Sequence, residues 1–264
     1  MKVSGKVVLV TGAGSGMGRQ ITLELVRRGA KVAAVDMRAE SLEETKALAG
    51  GTVATYVVDI TDSAKVLALP KQVAKDLGEV DAIINNAGII QPFVKVNDLT
   101  LEQAAKVMNV NFTGPLMLTK AFLPGLLKRP EAHILNVSSM GAYAPVPGQS
   151  VYGASKAAIK LFTEGLRSEL LDTKVGVTVV FPGAINTNIA ANSGMANPGG
   201  ADAGAAKFKM TEAPVAAKLM IDAIENNKPR LTIGSDAAMM DRLSRLNPIM
   251  ASNIIYKQMA SLLK

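Results

Sequence analysis

Val7-Val8-Leu9-Val10-Thr11-Gly12-Ala13-Gly14-Ser15-Gly16-Met17-Gly18 is the stretch on which the fold turns. An unbroken aliphatic run of this length reads as a strand buried on both faces, and the glycines end it at once. A helical pattern resumes at Gly16, so the glycines lie where a strand hands over to a helix. There they let the backbone come close to a pyrophosphate and aim the N–H groups of the first helical turn at it. The spacing is Gly12-x-x-x-Gly16-x-Gly18 rather than Gly-x-Gly-x-x-Gly.

Outward from this loop, short β-branched runs at residues 6–10, 31–35, 52–58, 80–85, 132–137 and 175–181 alternate with longer helical patterns. The alternation predicts βαβ units with right-handed crossovers. The expected fold class is α/β: a single Rossmann-type doubly wound parallel sheet of about seven strands, with helices on both faces. Helix starts are marked at Gly16, at Asp62 as an N-cap, at Thr100 with Gln103 in capping-box spacing, and at Ser150 after Pro147-Gly148. No fixed-period repeat or Pro/Ser-rich linker divides the 264 residues, so one domain over 1–264 is expected. Residues 188–212, which include a Gly/Ala/Asn-rich run, read as a substrate loop or lid. Residues 235–264 read as a C-terminal helical extension in which Ser235-Asp236 caps one helix, Pro248 interrupts, and an amphipathic segment follows.

Composition narrows the chemistry. The absence of cysteine excludes disulfides and thiolate metal sites, and a single histidine, His133, cannot build a multi-histidine site, so no metal is expected. His133 reads as an ordinary strand-edge residue. The net charge of +7 is spread without an aromatic-interleaved basic stripe, which speaks against a nucleic-acid partner and for solubility. No run approaches the roughly 18 apolar residues of a membrane span, so a cytoplasmic location without membrane association is expected.

Asp36 closes the second strand at the distance from the loop where a carboxylate accepts hydrogen bonds from the adenosine ribose hydroxyls and repels a 2′-phosphate. With no arginine at Ser15 or Met37, NAD is the expected cofactor. Tyr152 and Lys156, four apart, share a helix face with Cβ atoms about 5–6 Å apart. A phenol of ordinary pKa about 10 needs about 4 kcal/mol to titrate near 7, comparable to one ion pair at 4 Å and effective dielectric about 20. The positive end of the helix adds to the same effect.

Thr11-Gly12-x-x-x-Gly16-x-Gly18, Asn85-Asn86-Ala87-Gly88, Asn111, Ser139, Tyr152-x-x-x-Lys156 and Pro182-Gly183 follow one another in an order that resembles the classical short-chain dehydrogenase/reductase (SDR) family. The resemblance spans residues from about 6 to about 187. It implies a nicotinamide-dependent oxidoreductase. In the family, residues like Ser139 hydrogen-bond the substrate oxygen, and those like Tyr152 exchange a proton with it. Lys156 would bind the nicotinamide ribose and lower the tyrosine pKa. Asn111, at a helix break, would hold a water of a proton relay.

The resemblance also implies a cofactor-binding set of Gly12, Ser15, Gly16, Met17, Gly18 and Asp36. It places Asp59 and Ile60 near adenine, and Asn86, Ala87 and Gly88 along the ribose. Tyr152, Lys156, Pro182, Gly183, Ile185 and Thr187 would lie at the nicotinamide and phosphates. Ser139 is preferred over Ser138 by its separation from Tyr152, which leaves Ser138 a packing role, while Asn85 turns the chain after the fourth strand. The family pattern implies a homo-oligomer, tetramer or dimer, built on the helices after Leu99 and Ser150.

The expected substrate is a lipophilic secondary alcohol or ketone, possibly cyclic or steroid-like, since the surroundings of Ser139 are rich in Ala, Met and Ile and carry no clustered charge. Met140, Met195, Met210, Met239 and Met240 either line its pocket or fill core. Two other readings stand beside this one: a 3-oxoacyl carrier-protein reductase, and a non-catalytic NAD-binding sensor or scaffold.

Overall fold

The computed structural model describes residues 1–144, 146–187, 189, 193 and 210–259. Its strands are β1 (Val7–Thr11), β2 (Lys31–Asp36), β3 (Val53–Val57), β4 (Ala82–Asn85), β5 (Ala132–Val137), β6 (Val175–Pro182), β7 (Ile185–Asn186), β8 (Thr211–Glu212) and β9 (Arg230–Ile233). Seven of them form one sheet in the order β3-β2-β1-β4-β5-β6-β9, with every pairing parallel. β7 and β8 pair with each other apart from it. The doubly wound sheet is the expected one. Strand order reverses between β1 and β4, and sheets of this kind take ligands in the crevice beyond the carboxyl ends of the strands at that point.

The helices are α1 (Gly16–Arg27), α2 (Ala39–Ala49), α3 (Ser63–Leu77), α4 (Leu101–Met108), α5 (Gly114–Leu126), α6 (Ser150–Glu169), α7 (Ala213–Glu225), α8 (Ser235–Leu246) and α9 (Pro248–Met259). Successive strand residues point to opposite faces, which sorts the core into two layers. Val8, Val10, Val32, Ala34, Ile84 and Leu135 meet Ile21 and Leu25 of α1 and Met220, Ile221 and Ile224 of α7. Leu9, Ala33, Val35, Ile83 and Ile134 meet Leu69 of α3, Leu118 and Phe122 of α5 and Leu166 of α6. With both faces covered, the strands read as continuous apolar runs. Each fully buried Leu or Ile contributes about 1.5–3 kcal/mol relative to exposure.

Two of the helix starts are capped as the sequence indicates. Asp62 accepts a hydrogen bond from the Lys65 N–H at 3.1 Å, and Thr100 and Gln103 form both bonds of a capping box. β4 starts at Ala82 rather than at residue 80, and the Asp81 carboxylate just before it accepts from Val7 N at 2.9 Å and pairs with Arg129 at 2.7 Å.

Two expectations are corrected. His133 is not at an edge; it lies in β5, between β4 and β6, fully buried. Its Nε2 is 2.8 Å from Thr178 Oγ1, and since that hydroxyl donates to Lys228 O, the ring Nε2–H donates to the threonine. Burial pushes its pKa down to about 3, so the ring is neutral. The other correction concerns the C-terminal region. Gly234, at φ 99°, takes the N-cap position of α8 and Ser235 starts the helix, so neither Ser235 nor Asp236 caps it. Asp236 turns back instead, and its buried carboxylate accepts from Ala184 N at 2.7 Å.

α8 and α9 pack through Met240, Ala251 and Ile255 on Ala144, with Met140, Tyr143, Val146 and Leu243 around them. Met239 and Met210 are about half exposed. The loop expected at 188–212, and Met195 within it, lie outside the described residues apart from 189, 193 and 210–212. No described helix is long and apolar enough to cross a membrane, and no described group of three or more His, Asp or Glu residues could hold a metal ion.

Candidate active site

The carboxyl ends of β1, β4, β5 and β6 converge on one cleft. At its phosphate end, residues 12–15 turn the chain from β1 into α1, with Ser15 at the N-cap and Gly16 at φ 51°. A Cβ on Gly18 would overlap the carbonyl oxygen of Gly12 and the Asn86 amide, so only glycine lets helix and loop close on each other. Met17 is half-buried against the first core layer. Thr187, arriving from β7, stands across this loop: a Cβ on Gly16 would lie 3.5 Å from its Cβ.

Asp36, at the end of β2, accepts from Gly14 N at 3.0 Å and from Arg38 N at 3.1 Å. The Arg38 guanidinium lies between it and Ser15, with Nη2 donating to Ser15 Oγ at 3.1 Å and Nε 3.8 Å from Asp36 Oδ1. Asp59 follows β3 and accepts from the Thr61 backbone and hydroxyl, while the Ile60 side chain is buried against Gly114.

The segment after β4 is strapped to this loop. Thr11 Oγ1 accepts from the N–H groups of Asn86 and Ala87, both at 3.0 Å, and Asn86 Nδ2 donates to Thr11 O at 2.9 Å. The buried Oδ1 of Asn86 has no protein partner. Asn85 does more than turn the chain: its amide donates to Asn136 Oδ1 at 2.7 Å, joining β4 to β5. The glycine cradle, a helix start with no side-chain cap and the orphaned amide oxygen fit a pyrophosphate-bearing dinucleotide.

The second half of the cleft holds the four expected catalytic residues. Asn111 sits where α4 passes into α5 through a π-helical turn, Asn109–Thr113, which is the helix break expected there. Its side chain is fully engaged: Oδ1 accepts from Ile89 N at 2.9 Å, and Nδ2 donates to Ile89 O at 2.9 Å and to Ser155 Oγ at 3.0 Å. Ser139 follows β5 and accepts from Gly141 N at 3.0 Å, and its hydroxyl lies beside the Tyr152 ring across Gly141. Tyr152 is in the first turn of α6. Lys156, one turn on, donates from Nζ to Val137 O at 3.1 Å, with Nζ 5.9 Å from the Tyr152 ring centroid. A Cβ on Gly88 would lie 3.1 Å from that Nζ and 3.3 Å from Asn111 Oδ1, so Gly88 keeps the space between the two groups open.

Burial dominates the electrostatics. It pushes the Tyr152 phenol above its ordinary value, opposed by the Ser139 hydroxyl, and it pushes Lys156 down to about 8. In both groups desolvation is the largest influence, and it favours the neutral forms. Ser138 also has more than the packing role expected of it. Its hydroxyl donates to Lys156 O at 2.7 Å and pins the middle of α6 to the end of β5.

Three contributors carried no sequence signal. Gly141 leaves room for the tyrosine ring, because a Cβ there would lie 3.3 Å from Tyr152 Cε1. Gln91 bonds the start of α6. Asp236 fills the space a side chain on Gly183 would need and so fixes the turn after Pro182, the residue that ends β6. Such contacts join residues far apart in the chain, which no spacing rule encodes. Ile185 pairs with Thr211 beside that turn.

The short chain dehydrogenase family model matches residues 6–197. The oxidoreductase SadH of Mycobacterium tuberculosis is 36% identical over 251 residues, covering 92% of this chain and 91% of its own. A short-chain dehydrogenase/reductase from Burkholderia phymatum in complex with NAD superposes with a TM-score of 0.86 at 26% identity, covering 96% of this chain and 97% of its own. Another, from Burkholderia cenocepacia in complex with NADP, superposes with a TM-score of 0.80 at 29% identity over 100% of both chains. The chain belongs to the short-chain dehydrogenase family and is an oxidoreductase with a Rossmann-type site for a nicotinamide cofactor.

Proposed function

We propose that the protein interconverts a secondary alcohol and a ketone with NAD(H), using Tyr152 as the group that exchanges the hydroxyl proton. One observation carries the reading: Tyr152 and Ser139 flank Gly141 together in the cleft, the ring Cε1 and the hydroxyl 3.3 and 3.4 Å from where a Cβ on that glycine would lie, with Lys156 Nζ 5.9 Å from the Tyr152 ring centroid. Bound in the glycine cradle, a nicotinamide cofactor supplies a hydride acceptor or donor.

The residues of the chain do the rest. Residues 12–18 hold the pyrophosphate, Asn86, Ala87 and Gly88 the ribose side, and Pro182, Gly183, Ile185 and Thr187 the nicotinamide side. Asp59 and the Ile60 backbone border adenine. Ser139 donates to the substrate oxygen, and Tyr152 takes the proton from a hydroxyl or returns it to a carbonyl. At neutral pH Lys156, with its pKa of about 8, is mostly charged and stabilises a tyrosinate when the proton moves. Asn111 holds the 89–111–155 junction and would place a water of the proton relay.

Asp36 supports NAD over NADP. Its carboxylate is held at the end of β2 by Gly14 N, where a 2′-phosphate would meet a like charge. A lipophilic substrate is supported by the apolar composition of the segment after Ser139, whose Met140 and Tyr143 are partly buried against the core formed by Ala144, Met240, Ala251 and Ile255. Assembly into a homo-oligomer through α4, α5 and α6 is supported by the exposed Leu101, Leu127 and Leu161.

The test is the absorbance of reduced nicotinamide with NAD(H) and NADP(H) across secondary alcohols and ketones, with Tyr152→Phe alongside and NADH fluorescence as an independent reading of binding. The expected result is turnover with NAD(H) that Tyr152→Phe lowers by about 10²–10⁴-fold, with NADH affinity retained. Full activity in Tyr152→Phe would remove the tyrosine from proton transfer.

A further inference from the structure

We infer that Gln91 is a positioning residue that sets the first turn of α6 and with it the place of the Tyr152 phenol; this rests on the proton-transfer role proposed for Tyr152. A helix start leaves its first N–H groups without intrahelical partners. Gln149, at the N-cap of α6, supplies no side-chain cap. The partner comes from the strap after β4. Gln91, 0% exposed, accepts with Oε1 from Val151 N at 2.8 Å and from Tyr152 N at 3.0 Å, across 61 residues of sequence. Its Nε2 donates to Gly148 O at 2.9 Å, and its own carbonyl accepts from Gln149 Nε2 at 2.7 Å.

A carboxamide of this length does both jobs at once: it accepts from two amides and donates to the preceding carbonyl. Glutamate does so when protonated, asparagine is one methylene short, and methionine keeps the shape alone. The same strap is bonded to Thr11 through Asn86 and Ala87 and to Asn111 through Ile89. Residues 86–91 thus run from the phosphate loop to the backbone of the tyrosine. Gln91 is the last link, and it holds the phenol at a set distance from the cradle.

The experiment compares the parent enzyme with Gln91→Met, Gln91→Glu and Tyr152→Phe. It reads backbone amide exchange of residues 150–153, NADH affinity by fluorescence, and kcat, KM and the pH–rate profile on the fastest alcohol of the panel. In Gln91→Met the Val151 and Tyr152 amides are expected to exchange at least about tenfold faster and kcat to fall about tenfold, while NADH affinity stays within about twofold. Gln91→Glu is expected to recover most of kcat. Burial favours its protonated form, which still accepts from the two amides and donates to Gly148 O, so its pH–rate profile should stay within about half a unit of the parent's.

Parental exchange and parental kcat in Gln91→Met overturn the inference. Should that variant fail to fold, Gln91→Asn, one methylene short of the two amides, takes its place, and parental exchange with parental kcat in it overturns the inference instead. If no alcohol of the panel turns over, amide exchange alone decides. Activity retained in Tyr152→Phe would strike down the proton-transfer reading itself, whereas an inactive Tyr152→Phe beside parental Gln91 variants sinks only the role of Gln91.

Discussion

The two halves of the cleft are built from different materials. The phosphate half is made of backbone: a turn closed by Gly18 against the Gly12 carbonyl, a helix start with its N–H groups forward, and Thr11 receiving the next segment. The catalytic half is made of side chains held by other side chains, with Tyr152 on a helix fixed by Gln91 at its start and by Ser138 in its middle. The first rests chiefly on close backbone approach, tightest at Gly18; the second rests on side-chain hydrogen bonds, with Gly88 and Gly141 leaving them room.

The sharpest way to break this contrast is Gly18→Val. Its side chain has nowhere to go, so NADH affinity is expected to fall by more than about a hundredfold and stability by about 1–3 kcal/mol, read by fluorescence titration and urea unfolding. Unchanged affinity would mean the loop is not the phosphate cradle. A second measurement probes the side-chain half through pH. Lys156 drops from 10.5 unfolded to about 8 folded, so between those values the unfolded chain binds more protons and stability rises with pH.

Below about pH 8 both states are protonated and this contribution is flat. The rise is expected to reach up to about 3 kcal/mol in unfolding experiments and to vanish in Lys156→Met. A parent whose stability is flat over that window would place the ammonium in water. The smallest effect is reserved for Asp36→Ala, which should shift the ratio of NADPH to NADH affinity towards NADPH by about tenfold, or ~1.4 kcal/mol. An unmoved ratio would mean that the ribose is read elsewhere.

The same contrast explains what was legible in the sequence. Glycine spacing, the aliphatic strands and the Thr100-to-Gln103 box are short-range patterns, and the sheet, the loop and α4 follow them closely. Tyr152 and Lys156 were visible because four residues make one helical turn. Gln91 and Asp236 were not, since their partners lie 61 and 52 residues away and a buried carboxamide or carboxylate has no local signature. His133 was misplaced for a related reason: a polar residue in a strand looks like an edge until a neighbouring strand brings Thr178 to its ring. The misread cap at Ser235 shows that a glycine at positive φ can take the position for which a serine was chosen.

The Asp236 carboxylate also ties catalytic competence to the timetable of translation. Gly183 and Ala184, at the nicotinamide end of the cleft, are held by a residue made long after Tyr152 and Lys156, and the strand just before it, β9, closes the sheet beside β6. At ~5–20 residues per second, the ribosome reaches residue 236 roughly 4–16 s after residue 156. Until then the turn after Pro182 has its pairing with Thr211 but lacks the carboxylate that accepts from Ala184 N. An unfinished polypeptide therefore carries the reactive side chains before that turn is fully held.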